Sequence, residues 1–166
     1  IVSEDKTSNK VFCDLFSGTA TVGKFFKKKG FTVIANDLQY YSYVLSKQYI
    51  ANHKPLLFNG IKEELNNKNY IIDADMIEIV CEYLSSLEGE KGFVNENFCK
   101  GERKDEDEYR LYFTDENGAK CDAIRSKIEY WYKANKITEN EYYFLLATLI
   151  ENIDKVANTA SVYGAF

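Results

Sequence analysis

Lys10-Val11-Phe12-Cys13-Asp14-Leu15-Phe16-Ser17-Gly18-Thr19-Ala20-Thr21-Val22-Gly23 is the stretch on which the fold turns. Its first seven residues are a short apolar run of β-favouring side chains, the pattern of a buried strand. Ser17-Gly18-Thr19-Ala20 breaks the run. Val22, Phe25 and Phe26 then recur at helical spacing, and Lys27-Lys28-Lys29 precede Gly30. Cations in a last turn followed by glycine mark a helix C-terminus. Phe31-Thr32-Val33-Ile34-Ala35 reads as a second buried strand, and Asn36-Asp37 as the N-cap of a helix running to about residue 52. A crossover of this kind within one sheet is almost always right-handed and leaves its strands parallel.

Further along, the pattern turns helical. Met76, Ile77, Val80, Leu84 and Leu87 trace one face of a helix over residues 73–87, and Ile124, Ile128, Trp131 and Tyr132 mark another. Thr138-Glu139-Asn140-Glu141 is a capping box opening a long helix with Tyr142, Leu145, Leu149 and Ile153 on one face. Residues 89–118 are polar and punctuated by glycine, with a charged run at 101–108 that reads as a solvated loop. Two β-type pieces, 92–95 and 110–114, are expected to flank it as a hairpin. The expected organisation is a strand-turn-helix-strand-helix unit over residues 1–60 and a mostly helical extension over 61–166. Two parallel strands do not make a stable sheet alone, so further structure must cover their edges.

The 166 residues are 45% hydrophobic and 28% charged, which permits a packed core and argues against wholesale disorder. No run approaches a membrane-spanning length of apolar residues, and residues 1–10 lack a signal-peptide pattern, so a cytoplasmic protein without membrane attachment is expected. Ile1 is not methionine and residues 161–166 form no polar tail, so both ends read as cut from something longer. With 21 Lys and Arg against 26 Asp and Glu, the net charge of −5 argues against a surface devoted wholly to nucleic acid, though not against a local basic face. Cys13, Cys81, Cys99 and Cys121 contain no CxxC pair and are read as reduced thiols. His53, the only histidine, sits in a polar segment with no nucleophile nearby, which sets aside Ser-His or Cys-His hydrolysis.

The chemistry lies in the turn. Gly18-Thr19-Ala20-Thr21-Val22-Gly23 reads G-x-A-x-x-G between a strand and a helix. A turn without a Cβ lets backbone approach a ligand, and free N–H groups at the helix start attract its polar end. Asp37 follows Gly18 by 19 residues, at the end of the second strand, where a carboxylate accepts hydrogen bonds from ribose hydroxyls. These features fit an adenosine-containing cofactor without choosing one. Ala20 stands where a pyrophosphate-binding fingerprint has glycine. Asp14, four residues before Gly18, would repel a pyrophosphate but could pair with the amino group of S-adenosylmethionine. The structural alternative is that Asp14 caps the turn and Gly18 merely permits it.

The run Phe12-Cys-Asp14-Leu-Phe16-Ser-Gly18-Thr-Ala-Thr-Val-Gly23 resembles the cofactor motif of the Dam-like class of adenine-specific DNA methyltransferases. The segments 36–45, 92–97, 110–117 and 157–166 are similar to members of the same branch, so the resemblance spans nearly the whole chain. It implies an α/β fold, here a partial Rossmann-like methyltransferase sheet of two parallel strands with a largely helical second half. It further implies S-adenosylmethionine as cofactor and DNA as substrate of the full-length protein. Asp14 would contact the methionine part, directly or through water; Phe16 and Gly18 would line that pocket; Asp37 would hold the ribose. Thr19 and Leu38, beside Gly18 and Asp37, complete the expected cofactor-binding set.

One departure bears on activity. The family's catalytic motif places an acidic residue, Asn or Ser before Pro-Pro and an aromatic, and this chain's only proline is Pro55. No residue here takes the base-holding role, no metal ligand is expected, and the chain is expected to be inactive alone. The alternatives are a noncatalytic cofactor-binding subunit of a split methyltransferase and, more distantly, a dinucleotide-binding oxidoreductase domain. Tyr40, Tyr41, Tyr43 and Tyr49 cannot all face one way on a helix and are expected to pack against the sheet or a further segment. Lys27–Lys29 need no DNA to explain them as helix-end cations.

Overall fold

The computed structural model describes residues 10–66, 75–100 and 112–158. It divides between Lys54 and Pro55 into two compact units, Ile1–Lys54 and Pro55–Phe166.

In the first unit, strand β1 (Val11–Asp14) leads through the glycine turn to helix α1 (Thr21–Lys28), and strand β2 (Thr32–Ala35) returns parallel to β1. The register pairs Phe12 with Val33 and Asp14 with Ala35. Helix α1 packs on one face of the pair, where Phe26 stacks on Phe12 with ring centroids 3.9 Å apart. Gly23 of α1 faces β2 so closely that a Cβ there would lie 3.3 Å from Val33 Cγ1. The helix ends as its sequence predicts. Gly30 adopts φ 82°, its N–H reaches the Lys27 carbonyl, and the Phe31 N–H reaches that of Phe26. The Phe26 and Phe31 rings close this Schellman turn at 5.2 Å.

Four expectations are corrected here. The strands are four residues long and only half-buried: Val11, Cys13 and Ile34 are exposed because α1 covers the opposite face. Asn36-Asp37 is not a helix cap. Helix α2 (Tyr40–Ser46) starts after Gln39, and the Asp37 carboxylate serves the glycine turn instead. The helix does not run on uniformly either, because it widens into a π-turn over Lys47–Ala51. Lys27 meets the carbonyls released there, its Nζ donating to Tyr49 O (3.0 Å) and Asn52 O (3.1 Å). Burial of Val44, Leu45 and Ile50 anchors this segment, while Tyr40, Tyr41 and Tyr43 stay exposed; packing on the strands is not their role. His53 is exposed.

The second unit is helical among its described residues. A 3₁₀ turn (Asn59–Ile61) opens α3 (Lys62–Asn66), followed by α4 (Met76–Ser85), α5 (Phe93–Phe98), α6 (Asp115–Lys133), α7 (Glu139–Ile153) and a 3₁₀ turn at Asp154–Val156. Its core gathers Phe58, Ile61, Val80, Ile128, Trp131 and Leu145. The capping box forms: Thr138 Oγ1 accepts the Glu141 N–H, and Glu141 Oε2 accepts the Thr138 N–H at 2.8 Å. Buried Glu141 then turns its other oxygen to the N–H groups of Leu57 (3.1 Å) and Phe58 (2.5 Å), pinning the start of the unit to α7.

The hairpin expected at 92–95 and 110–114 is replaced by helix starts. Asp122 of α6 accepts the N–H groups of Val94 (3.0 Å) and Asn95 (2.8 Å), so a tertiary carboxylate starts α5 in a β-favouring stretch. Thr114 accepts the Asn117 N–H at 3.1 Å and starts α6 nine residues before Ile124. Gly118 sits inside that helix because Cys99 Sγ occupies the space of a Cβ, not because the chain breaks there. Residues 110 and 111, like the charged run at 101–108, lie outside the described residues.

Candidate functional site

Beyond the carboxyl ends of β1 and β2 the two connections stay tied together. The Asn36 N–H donates to Asp14 O (2.8 Å), the Ser17 N–H to Asn36 O (2.9 Å), and Asn36 Nδ2 to Leu15 O (3.0 Å). A fourth bond runs from the Gly18 N–H to Asp37 Oδ2 at 2.8 Å, while Asp37 Oδ1 accepts the Gln39 N–H at 2.9 Å. The register that pairs Asp14 with Ala35 therefore brings Asp14, Gly18 and Asp37 to one end of the strand pair. The N–H groups of Gln39 and then Gly18 hold the Asp37 carboxyl below the usual carboxylate range.

The turn itself is shaped by left-handed backbone. Gly18 has φ 49°, which glycine tolerates, and a Cβ there would meet open space. Ala20, fully buried, also takes φ 60° and precedes α1 without a side-chain cap for the first turn. Thr19 is exposed, its hydroxyl 2.9 Å from that of Thr21. Phe16 and Leu38 flank the turn with 89% and 96% of their surfaces exposed.

Asp14 carries the decisive anomaly. Its Oδ2 is shut off from solvent and has no hydrogen-bond partner among the described residues. A buried acceptor left unpaired costs about 1–3 kcal/mol, and such groups are rare in native structures. The site thus holds a buried unsatisfied acceptor on β1, a ribose-compatible carboxylate after β2, and an uncapped helix start between them. The two carboxylate acceptors fit a ligand that donates from an amino group and from ribose hydroxyls, and S-adenosylmethionine carries both.

All six residues expected from sequence therefore belong to this unit. Sequence reasoning missed Ser17, Ser42 and Ser46, whose hydroxyls cluster behind the turn at 3.1 and 3.4 Å. The available signal was the pair Ser42 and Ser46, four residues apart and so on one helix face. A groove of about 740 Å³ in the second unit, lined among others by Phe93, Arg125, Tyr130 and Lys133, includes none of the predicted residues. No described helix is long and apolar enough to cross a membrane.

A parallel strand pair joined through a glycine turn and a helix defines an α/β chain with a candidate cofactor end. The model of the D12 class N6 adenine-specific DNA methyltransferases matches residues 1–166, and the chain belongs to that family. It is 46% identical over 165 residues to the type II methyltransferase M.NlaIII of Neisseria lactamica, covering 99% of this chain and 43% of that protein. It is 35% identical to the type II methyltransferase M.FokI of Planomicrobium okeanokoites, and 34% to the modification methylase StsI of Streptococcus sanguinis. These alignments cover 97% and 96% of this chain but only 23% and 22% of those proteins. The chain thus spans less than half the length of these curated relatives. No solved structure matches it. Family membership sets aside the oxidoreductase alternative.

Proposed function

We propose that this chain forms the cofactor-binding part of an enzyme that transfers a methyl group from S-adenosylmethionine to the exocyclic amino group of adenine in DNA. The observation that carries the reading is the buried Oδ2 of Asp14 at the carboxyl end of β1, without a hydrogen-bond partner among the described residues. An amino group placed there would satisfy it as donor and as opposite charge.

In this reading Asp14 holds the methionine amino group, with Phe16, Gly18 and Thr19 along the same side. Asp37 takes the ribose hydroxyls: an ionised carboxylate offers about four acceptor positions, and two are committed to the N–H groups of Gly18 and Gln39. Leu38 offers exposed apolar surface beside it for the adenine ring. When bound, the cofactor supplies an electrophilic methyl on a sulfonium; the residues of this chain bind and orient it. The base-holding Pro-Pro-aromatic loop comes from another segment, in cis or on a partner subunit, because the chain's only proline is Pro55. The names of the relatives, type II methyltransferases and modification methylases, support a place in restriction-modification and a cytoplasmic setting with DNA as partner.

The test is calorimetric titration with S-adenosylhomocysteine and, separately, NAD, alongside transfer of labelled methyl to DNA. The reading expects S-adenosylhomocysteine to bind, NAD not to bind, and transfer to require the missing segment. Binding of NAD alone, or of neither, would overturn it.

A further inference from the structure

We propose that Asn36 is a positioning residue: it stabilises a one-residue bulge at the end of β1 and thereby sets the spacing between Asp14 and Asp37. The proposal rests on the reading of those two acids given above, Asp14 for an amino group and Asp37 for a ribose.

The backbone hydrogen bonds define the bulge. In a regular parallel ladder, a residue whose N–H bonds a carbonyl of the neighbouring strand accepts in return the N–H two residues further along that strand. The pairing is regular from the Thr32 N–H on Lys10 O to the Asn36 N–H on Asp14 O, both 2.8 Å. The Asn36 carbonyl should then take the N–H of Phe16. It takes that of Ser17 instead, at 2.9 Å. One extra residue therefore sits between Asp14 and Ser17, with Phe16 exposed and Ser17 buried. Bulges of this kind re-aim the chain beside binding sites.

The Asn36 side chain completes the arrangement. Its Nδ2 donates to Leu15 O, the carbonyl inside the bulge, at 3.0 Å. A carbonyl only accepts, so the amide must present its nitrogen here. Leu15 and Phe16 do not anchor the segment themselves, because both side chains are exposed. Past the bulge the Gly18 N–H reaches Asp37 Oδ2. Asn36 thus clamps Asp14 and Ser17 through its backbone, holds the residues between them through its amide, and precedes Asp37 in the chain. Without the donor the bulge loses its side-chain support, and the two acids lose their fixed separation. A ligand that must meet both acids at once depends on that separation; one that meets a single acid does not.

The discriminating measurement is the affinity ratio between S-adenosylhomocysteine, which carries both an amino group and a ribose, and adenosine, which lacks the amino-acid part. It is made on the full-length protein. The native protein should prefer S-adenosylhomocysteine about tenfold or more. Asn36→Asp keeps the shape but sets an acceptor against the Leu15 carbonyl. It should cut the preference about three- to tenfold while changing affinity for adenosine less than twofold. Asp14→Ala should abolish the preference. If Asn36→Asp weakens both ligands equally, or the ratio does not fall while Asp14→Ala removes it, the positioning role is overturned and the reading of the site survives. If the native protein shows no preference, the reading of Asp14 fails and takes this proposal with it. Should Asn36→Asp not fold, Asn36→Ala, which removes the donor without adding a charge, is read the same way: about a threefold loss of preference supports the proposal, and an unchanged ratio overturns it.

Discussion

The carboxylate of Asp37 and the backbone N–H of Gly18, 19 residues apart in sequence, are joined by a hydrogen bond of 2.8 Å. The bond fastens the connection after β2 to the turn after β1, so a ligand resting on the glycine turn also meets the acid. Because the Gln39 and Gly18 N–H groups favour the charged form, the folded carboxyl titrates below its unfolded value of 3.8. Its favourable contribution is therefore present above that value and is lost as pH falls through the lower folded one. Affinity for S-adenosylhomocysteine, as far as Asp37 governs it, should be flat from pH 5 to 8, and Asp37→Ala should lower it at least tenfold throughout. An unchanged affinity in the variant would remove Asp37 from the site.

Asp14 predicts a conflict between stability and binding. Its Oδ2 is buried and has no partner among the described residues, a desolvated acceptor that costs stability. Asp14→Asn keeps the shape, removes the charge and supplies an N–H₂ in its place. The variant should be as stable as the native chain or more stable, by up to about 2 kcal/mol, while affinity for S-adenosylhomocysteine falls tenfold or more. Thermal denaturation and titration on the same sample decide it. A destabilised variant with native affinity would mean that Asp14 is a structural cap.

Gly23 is read in sequence as the last glycine of a ligand loop, and its surroundings show a packing duty instead. A Cβ there would lie 2.9 Å from Ile50 Cδ1 and 3.3 Å from Val33 Cγ1. Gly23→Ala gains helix propensity of about 1 kcal/mol but crowds both neighbours, and overpacking costs about 1–3 kcal/mol. A net loss of about 1 kcal/mol is expected in chemical denaturation. Ile50→Val deletes the nearer methyl, so adding Gly23→Ala to that background should cost less than half as much. Equal costs in both backgrounds would show that the crowding is relieved elsewhere.

Much of this was legible where one local rule settles the outcome. The lysines before Gly30 ended α1, and Thr138 with Glu141 opened α7, because each cap needs only residues a few positions apart. The clustering of Asp14, Gly18 and Asp37 followed from parallel pairing of two short strands. What escaped depended on partners distant in sequence. Phe93 and Val94 carry β propensity, yet Asp122, 28 residues after Val94, converts their segment to helix. The exposure of Val11, Cys13 and Ile34 escaped because an apolar run states a demand for cover, not whether these elements meet it. Serine hydroxyls behind the turn carry no signal until α2 brings Ser42 and Ser46 against Ser17.

Glu64 makes the second unit acid-sensitive. Its carboxylate accepts from Lys127 Nζ (2.5 Å), Lys136 Nζ (2.9 Å) and Trp131 Nε1 (3.2 Å), tying α3 to α6 and to the turn beyond it. Partial burial alone would raise its pKa, but the hydrogen bonds from the two lysines outweigh that and hold it at about 2, against an ordinary 4.5. A depressed folded pKa contributes stability that is complete above about pH 4.5 and is lost as the pH falls towards 2. Water reaches the cluster, so its worth is about 1–2 kcal/mol rather than the larger figure the shift alone suggests. Glu64→Gln should therefore destabilise the chain by about that amount at pH 7 and flatten its stability between pH 4.5 and 2 relative to the native protein. The buried indole of Trp131 offers a fluorescence readout of that unfolding. Parallel acid-unfolding curves for the two proteins would show that the pair of lysines gains nothing from Glu64 in solution.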